Sequence, residues 1–220
     1  MSDVNDVSAG VRQVDFAAFA DHLHRTRCAA RRVVAIAGPP GAGKSAFAQR
    51  LRADLDARVP GSAAVLAMDG FHFDDRVLDA RGDRARKGAP HTFDVDGLAA
   101  LLGRLRADDG RDIAVPVFDR DLEIARAGAA IVSASVRHVL VEGNYLLLDA
   151  PPWRALRSLF DVAAMLDVPR PVLAKRLAAR WRGYGMDAAE VRAKLEGNDL
   201  VNVDTVLSRS APADFRVRND

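Results

Sequence analysis

Short apolar runs alternate with amphipathic stretches along most of the chain. Residues 33–37 form a β-branched apolar run of the kind that builds a buried strand. Similar runs predict further strands at 63–68, 113–118, 137–141 and 162–168. Apolar residues at helical spacing predict helices at 15–27, 46–57, 95–106, 152–159, 171–180 and 188–196. The pattern leaves open a short strand at 130–135 and an edge strand at 215–217.

Strands that alternate with helices indicate an α/β fold, in which helices cover both faces of a parallel sheet. Residues 69–90 are polar and predict a long loop, and loops of this length in compact domains usually serve function. Residues 1–10 predict disorder. We expect one domain over residues 1–220, with a lid over 170–187, rather than two domains.

Composition and charge disfavour nucleic-acid-binding proteins and membrane-spanning proteins. The chain has 220 residues and a net charge of +2, without the basic block that nucleic-acid binding favours. No apolar run reaches the ~18 residues that span a bilayer, and the N-terminus lacks the pattern of a signal peptide. Cys28 is the single cysteine, so no intramolecular disulfide can form, and we interpret it as an inert thiol. We expect a cytoplasmic protein without nucleic-acid or membrane partners; the charge pattern is compatible with a monomer or a homodimer.

The strongest motif lies between the first predicted strand and the helix that follows it. Residues 38–45 match G-x-x-x-x-G-K-[ST], the loop whose backbone N–H groups cradle phosphates. In this pattern Lys44 reaches the β- and γ-phosphates of ATP, and the Ser45 hydroxyl is a ligand of Mg²⁺. The predicted nucleotide site comprises Gly38, Pro39, Gly41, Ala42, Gly43, Lys44, Ser45 and Ala46. An N-K-x-D guanine motif and an L-S-G-G-Q motif are absent from the sequence, which disfavours GTPases and transporter ATPases.

Carboxylates follow the predicted strands, at the sheet edge where chemistry collects in parallel α/β proteins. Asp69 follows the strand at 63–68 and is our candidate for the general base; a turn-capping role is the alternative. Glu142 ends the strand at 137–141, where an acid holds Mg²⁺ or its water shell. Asp119 and Arg120 follow the strand at 113–118, and the sequence leaves substrate binding and a local ion pair equally open.

Basic and aromatic residues supply the remaining candidates. Arg176, Arg180 and Arg182 lie before a Gly-rich break and predict a lid with cations for the transferred phosphate, Arg180 foremost; a solvated helix face is the alternative. Surface charge and binding of an anionic substrate both fit Arg81, Arg86 and Lys87. His72 either touches substrate or makes a loop hydrogen bond. Core packing is favoured, with a pocket wall as the alternative, for Phe71, Phe73, Phe118 and Tyr145.

Five blocks occur in one order: the phosphate loop, Met-Asp-Gly-Phe at 68–71, Arg-Lys-Gly-Ala-Pro-His-Thr-Phe-Asp at 86–94, Pro-Val-Phe-Asp at 116–119 and Glu-Gly at 142–143. Together they resemble the phosphoribulokinase/uridine kinase family of P-loop kinases. The blocks at 68–71 and 86–94 look like bacterial pantothenate kinases, and the block at 116–119 is similar to uridine kinase, although the His-Ser-Arg that follows there is missing. The whole pattern is most similar to bacterial proteins described as fructose-transport-system or nucleoside kinase-like.

The resemblance implies a three-layer P-loop sandwich around a five-stranded parallel sheet in the order 2-3-1-4-5. It implies Asp69 as the base and Lys44, Ser45 and Glu142 as the residues that hold ATP and Mg²⁺. It also implies Arg180, with Arg176 or Arg182, as lid cations. The same resemblance places Asn198 and Asn202 near the nucleotide base.

Two functions follow from these residues. The first is an ATP-dependent phosphotransferase that acts on a hydroxyl of a sugar, a nucleoside or a pantothenate-like acid. Its substrate site would draw on Phe71, His72, Arg81, Lys87, Asp119, Arg120 and Tyr145. The second is a nucleotide-binding regulatory ATPase without a small-molecule acceptor, which would bind ATP tightly and hydrolyse it slowly.

Overall fold

The structure, a computed structural model, describes residues 10–26 and 30–219. The predictions on residues 1–9 and on Cys28 lie outside these ranges. Within them, six parallel strands form one sheet in the order β1-β8-β7-β2-β6-β3. These strands are β1 (Arg12–Val14), β2 (Arg32–Ala37), β3 (Ala63–Ala67), β6 (His138–Gly143), β7 (Val162–Asp167) and β8 (Phe215–Arg218). At the centre, Val34 of β2 pairs with Leu140 of β6 and Val162 of β7.

The predicted five-stranded sheet in the order 2-3-1-4-5 is wrong in its number and choice of strands. The segment predicted as the third strand, 113–118, lies outside the sheet: β4 (Ile113–Asp119) pairs antiparallel with β5 (Ile124–Val132) in a separate hairpin. Of the segment left open at 130–135, residues 130–132 form the end of β5. The strand left open at 215–217 is confirmed as β8, but it lies between β1 and β7 rather than at an edge.

Helices cover both faces of the sheet, as the sequence predicts. On one face Phe19 of α1 (Phe16–Arg25), Leu51 of α2 (Lys44–Arg58) and Leu177 of α5 (Arg170–Gly183) pack against Val34 and Ile36. On the other face, the core cluster that includes Val33 and Ala35 contains the apolar side of α4 (Val95–Ala107) and the 3₁₀ turn Trp153–Leu159. Burial of both faces explains why the central strands are continuous apolar runs.

The segment predicted as a loop at 69–90 contains regular structure. A 3₁₀ turn (Met68–Phe71) follows β3, and α3 (Asp75–Arg81) comes next. Two more 3₁₀ turns, Arg84–Arg86 and Pro90–Thr92, lead into α4. The helix α3 is capped by Asp74, whose side chain accepts a hydrogen bond from the backbone N–H of Arg76.

The C-terminal third holds the predicted lid. The helix α5 continues to Gly183, three residues beyond the predicted end. A capping box at Asp187 and Glu190 begins α6 (Ala188–Lys194). A π-helical turn (Leu195–Asp199) then joins α6 to α7 (Leu200–Arg209), a helix that the sequence did not predict. Among the described residues, no helix combines the length and the apolar character needed to cross a membrane.

Candidate active site

The phosphate loop connects the buried strand β2 to α2. Gly41 and Gly43 adopt left-handed backbone angles, with φ of 82° and 80°, which residues with side chains rarely adopt. The backbone N–H of Ala42 donates to the Pro39 carbonyl at 3.1 Å, which tightens the loop. The loop therefore opens directly onto the N-terminus of a 15-residue helix, where unpaired N–H groups and the helix dipole favour an anion.

Four side chains converge at this loop. The Lys44 ammonium donates to the Pro39 carbonyl at 3.0 Å and to Asn144 Oδ1 at 2.6 Å. The Ser45 hydroxyl donates to Glu142 Oε1 at 2.8 Å, so the two predicted Mg²⁺ ligands present adjacent oxygens. A hydroxyl and a carboxylate fit a magnesium ion, which commonly takes its other ligands from water and substrate phosphates.

Asn144 is a site residue that our sequence reasoning missed. The residue lies two positions after Glu142, in the Glu-Gly-Asn segment, and an amide so near a strand-end acid was the available signal. The intervening Gly143 is required by packing, because a Cβ there would lie 2.5 Å from the Cβ of Met68.

Lys44 and Glu142 carry charges of opposite sign, and both side chains are buried at the phosphate loop. Burial lowers the pKa of the Lys44 ammonium, while the nearby carboxylates of Glu142 and Asp69 act in the other direction. Burial raises the pKa of Glu142, and the Lys44 charge offsets part of that rise. Both groups are less than a tenth exposed. Each charged form is therefore costly in the free protein, and a bound polyphosphate and metal would supply the missing partners.

Asp69 lies at the same end of the sheet but outside the phosphate loop. Its Oδ2 accepts a hydrogen bond from Arg120 Nη2 at 3.1 Å. Gly70 allows this arrangement, because a Cβ there would approach the Pro116 carbonyl oxygen to 2.9 Å. The hairpin β4–β5 thus packs directly over the turn that carries Asp69, and the predicted base faces the hairpin tip.

Two of the predicted substrate residues near Asp69 are aromatic rings with different surroundings: His72 lies beside two other rings, and Tyr145 is fully buried. The His72 ring lies 4.0 Å from the Phe93 ring centroid and 4.9 Å from that of Phe118, and its Nδ1 contacts the Asp69 carbonyl at 2.9 Å. Burial lowers the pKa of His72, which favours the neutral ring. Tyr145 is fully buried and its hydroxyl donates to the Gly88 carbonyl at 2.7 Å. The structure therefore places Tyr145 in the core rather than on a pocket wall.

Most other predicted substrate residues have partners within the protein. Phe71 is buried in the core cluster. Asp119 accepts from Arg126 at 3.0 Å and from the backbone N–H groups at the hairpin tip. Lys87 donates to Asp75 Oδ1 at 2.7 Å, and Arg81 stacks 4.3 Å from the centroid of the Phe73 ring. Of the predicted substrate residues, His72 and Arg120 lie closest to Asp69, because each contacts it directly.

A cavity of about 300 Å³ adjoins the phosphate loop. Its lining residues are Gly41, Gly43, Ala46, Phe47, Arg50, Arg176 and Asn219. Arg176 donates to the Asn219 carbonyl at 3.2 Å, and the Asn219 amide donates to the Ala42 carbonyl at 2.6 Å. These contacts hold Arg176 and Asn219 against the phosphate loop.

The predicted lid arginines differ in their placement. Arg176 lines the cavity, as described above. Arg180 is exposed, yet it lies close enough to Lys44 to contribute to the lowering of the pKa of that ammonium. Arg182 is exposed and makes no side-chain hydrogen bond or ion pair with the part of the chain that the structure describes. The geometry thus brings Arg176 and Arg180, but not Arg182, to the nucleotide site.

Asn198 and Asn202 do not line the cavity beside the phosphate loop. Asn198 lies in the π-helical turn and donates to the Lys87 carbonyl at 3.2 Å. Asn202 donates to Asn198 Oδ1 at 3.2 Å. In the same turn the Gly197 carbonyl accepts from Arg86 at 2.5 Å. These residues connect the C-terminal helices to the segment that follows α3.

A phosphate loop on a parallel sheet, a hydrogen-bonded Ser–Glu pair beside it and a separate carboxylate are the features of a P-loop nucleotide-binding protein. A solved structure from Silicibacter sp. TM1040, described as a "putative fructose transport system kinase", is similar, with 40% identity, a TM-score of 0.86, and coverage of 92% of this chain and 98% of that chain. The chain is 36% identical to the protein YggC of Escherichia coli over 189 residues, which cover 85% of this chain and 77% of YggC.

A protein of Schizosaccharomyces pombe named "putative uridine kinase" is 32% identical over 192 residues, which cover 84% of this chain and 82% of that protein. No protein-family model matches the chain. The chain belongs to the phosphoribulokinase/uridine kinase family of P-loop kinases, as the sequence blocks indicated.

Proposed function

We propose that the protein transfers the γ-phosphoryl group of ATP to a hydroxyl of a small polar metabolite. The observation that carries this proposal is the separation of two carboxylates at one edge of the sheet. Glu142 is hydrogen-bonded to Ser45 of the phosphate loop, whereas Asp69 lies beneath the hairpin and contacts Arg120. A kinase needs a site for the acceptor apart from the metal ligands, with a group that can take the proton of the acceptor hydroxyl, and Asp69 beneath the hairpin supports that role.

Each residue then has a role that its position supports. ATP with Mg²⁺ would supply the phosphoryl group and neutralise part of its charge. The backbone of Gly41 to Gly43 and the Lys44 ammonium would orient the phosphates, and Ser45 and Glu142 would hold the metal. Asp69 accepts the proton of the acceptor hydroxyl as the acceptor oxygen bonds to the terminal phosphorus and the bond to the β-phosphate oxygen breaks. Arg180 stabilises the charge on the transferred group when α5 closes.

The names of two relatives agree with a hydroxyl acceptor, since uridine and fructose both carry free hydroxyl groups. The test is ADP release from Mg²⁺–ATP with and without a panel of acceptors that includes sugars, nucleosides, pantothenate and ribulose 5-phosphate. We expect one acceptor to raise turnover far above the acceptor-free rate. Tight ATP binding without stimulation by any acceptor would favour the regulatory ATPase instead.

A further inference from the structure

The cations beside the proposed acceptor site are already paired with carboxylates. Arg120 pairs with Asp69 at 3.1 Å, and Arg126 pairs with Asp119 at 3.0 Å. Asp75 of α3 takes two partners, Arg84 at 2.6 Å and Lys87 at 2.7 Å, and Glu123 lies 3.7 Å from Lys87. We call these eight residues the acceptor-side ion network: Asp69, Asp75, Arg84, Lys87, Asp119, Arg120, Glu123 and Arg126. Its four positive and four negative side chains balance.

The Lys87 side chain is largely buried, and its ammonium has several partners within the protein. Only 10% of its side chain is exposed. Its ammonium donates to Asp75 Oδ1 at 2.7 Å and to the Glu123 carbonyl at 2.6 Å, and it lies 5.3 Å from the centroid of the Phe118 ring. The ammonium therefore bridges the α3 segment and the hairpin instead of presenting a charge to a ligand.

The other two cations that could have held an anionic substrate are also engaged. The Arg86 guanidinium donates to the Gly197 carbonyl, and the Arg81 guanidinium stacks on Phe73. An acceptor that carries phosphate or carboxylate would therefore enter beside the Asp69 carboxylate and the ATP phosphates, where the four cations of the network are already paired with carboxylates. Placing an unpaired charge in such a site is costly.

The same surroundings suit hydroxyl groups. The Asp69 and Asp119 carboxylates can accept hydrogen bonds from hydroxyl groups, and the half-buried rings of His72 and Phe118 pack together beside Asp69. Resting on the proposed kinase function, we infer that the acceptor is an uncharged polyhydroxy compound, and that the site discriminates against phosphorylated and carboxylated analogues of it. The acceptor-side ion network is the element that sets this specificity.

The test separates the small metabolites of the source organism by charge before the acceptor is identified. An extract is divided on an anion exchanger into a neutral and an anionic fraction, and each is incubated with the full-length protein and γ-labelled ATP. We expect labelled product from the neutral fraction and at least tenfold less from the anionic fraction. The Asp69→Asn protein identifies background labelling in both fractions.

The possible failures are distinct. Label transferred mainly to compounds of the anionic fraction would overturn the inference and leave the kinase function intact. No label transfer from either fraction would overturn the proposed function, and with it the inference.

A pair of variants then tests the ion network itself. Asp75→Asn removes the shared partner of Arg84 and Lys87, whereas Asp79→Asn makes the same charge change at an exposed residue of the same helix that is in no ion pair of the described chain. The quantity compared is the ratio of kcat/KM for a phosphorylated analogue to kcat/KM for the neutral acceptor. We expect this ratio to rise about tenfold in Asp75→Asn and to stay unchanged in Asp79→Asn. Equal ratios in both variants would show that the network does not set specificity.

Discussion

The Arg120 guanidinium donates to the Asp69 carboxylate at 3.1 Å, which joins two segments that lie 51 residues apart in the sequence. Asp69 follows the central sheet, whereas Arg120 lies at the tip of a hairpin outside that sheet. The close contact between Gly70 and the Pro116 carbonyl fixes the hairpin above the turn. The proposed base is therefore oriented by an element that does not belong to the nucleotide-binding core.

Replacing Arg120 tests whether the hairpin tip contributes to acceptor binding. In Arg120→Ala we expect the KM for the acceptor to rise about tenfold to a hundredfold, because a charge-assisted hydrogen bond at the base is lost. The KM for ATP should change little. Since the pair is half-exposed, the free energy of unfolding should fall by less than about 1 kcal/mol.

The matched control is Arg111→Ala, which removes an exposed arginine that pairs with Asp109 before the hairpin begins. Steady-state kinetics on both variants make the comparison. An unchanged acceptor KM in Arg120→Ala would show that the ion pair with Asp69 has no part in acceptor binding.

Asn144 gives a second prediction, because it holds the Lys44 ammonium at 2.6 Å. In Asn144→Ala we expect kcat to fall about tenfold to a hundredfold, since misplacement of a catalytic group by about 1 Å costs rates of this order. A residue with only a structural role would lower the melting temperature instead. Kinetics and thermal unfolding, measured on one preparation, distinguish the two roles, and an unchanged kcat would exclude Asn144 as a positioning residue.

The central strands and the hairpin show which parts of the fold were predictable. Residues 33–37 are apolar at every position because both sheet faces are covered, and the prediction there was correct. In β4, Ile113 and Val115 are buried but Ala114 and Val117 are exposed. Because all four residues are apolar and the register shifts between Val115 and Val117, the sequence does not show which face is buried, and the segment was predicted as a strand of the main sheet. The helix α3 was missed because it is short, polar and held by its cap and ion pairs.

Glu142 predicts a pH dependence of stability in the absence of nucleotide and metal. Burial raises its pKa in the folded protein, so the folded state favours the protonated acid, and stability is lost as the pH rises through that pKa. Glu142→Gln has no carboxyl to ionise at this position, so this loss of stability does not occur in the variant. Below pH 4.5, the ordinary pKa of glutamate, the wild-type protein and the variant should have similar melting temperatures. At neutral pH the variant should have the higher melting temperature. A wild-type protein more stable than the variant at neutral pH would contradict the assigned direction.

Gly143 tests the packing that brings Glu142 and Asn144 to the loop. In Gly143→Ala the new Cβ would lie 2.5 Å from the Met68 Cβ, so we expect a loss of about 1–3 kcal/mol in the free energy of unfolding. The control is Gly103→Ala in α4, where a Cβ meets nothing within 4 Å and helix propensity should add about 0.5–1 kcal/mol. Chemical denaturation measures both, and equal effects would show that the Gly143 contact is not needed.

The candidate site was predictable where its residues are contiguous or end a strand. The phosphate loop and Glu142 have this property. The contacts of Asp69 with Arg120 and of Lys44 with Asn144 depend on how distant segments pack, which single-sequence patterns do not contain. Tyr145 was predicted among the substrate residues, but it is buried in the core. An aromatic residue after a strand end can line a pocket or fill the core, and the sequence alone does not distinguish the two.

The central claim is that Asp69 acts as the base, separately from the residues that hold ATP and Mg²⁺. The direct test is phosphoryl transfer by Asp69→Asn, with Asp79→Asn as the control for loss of an acidic residue nearby. We predict a fall in kcat of about 10²–10⁴-fold with the dissociation constant for ATP unchanged, since general base catalysis contributes on this scale. Near wild-type transfer by Asp69→Asn would contradict the assignment.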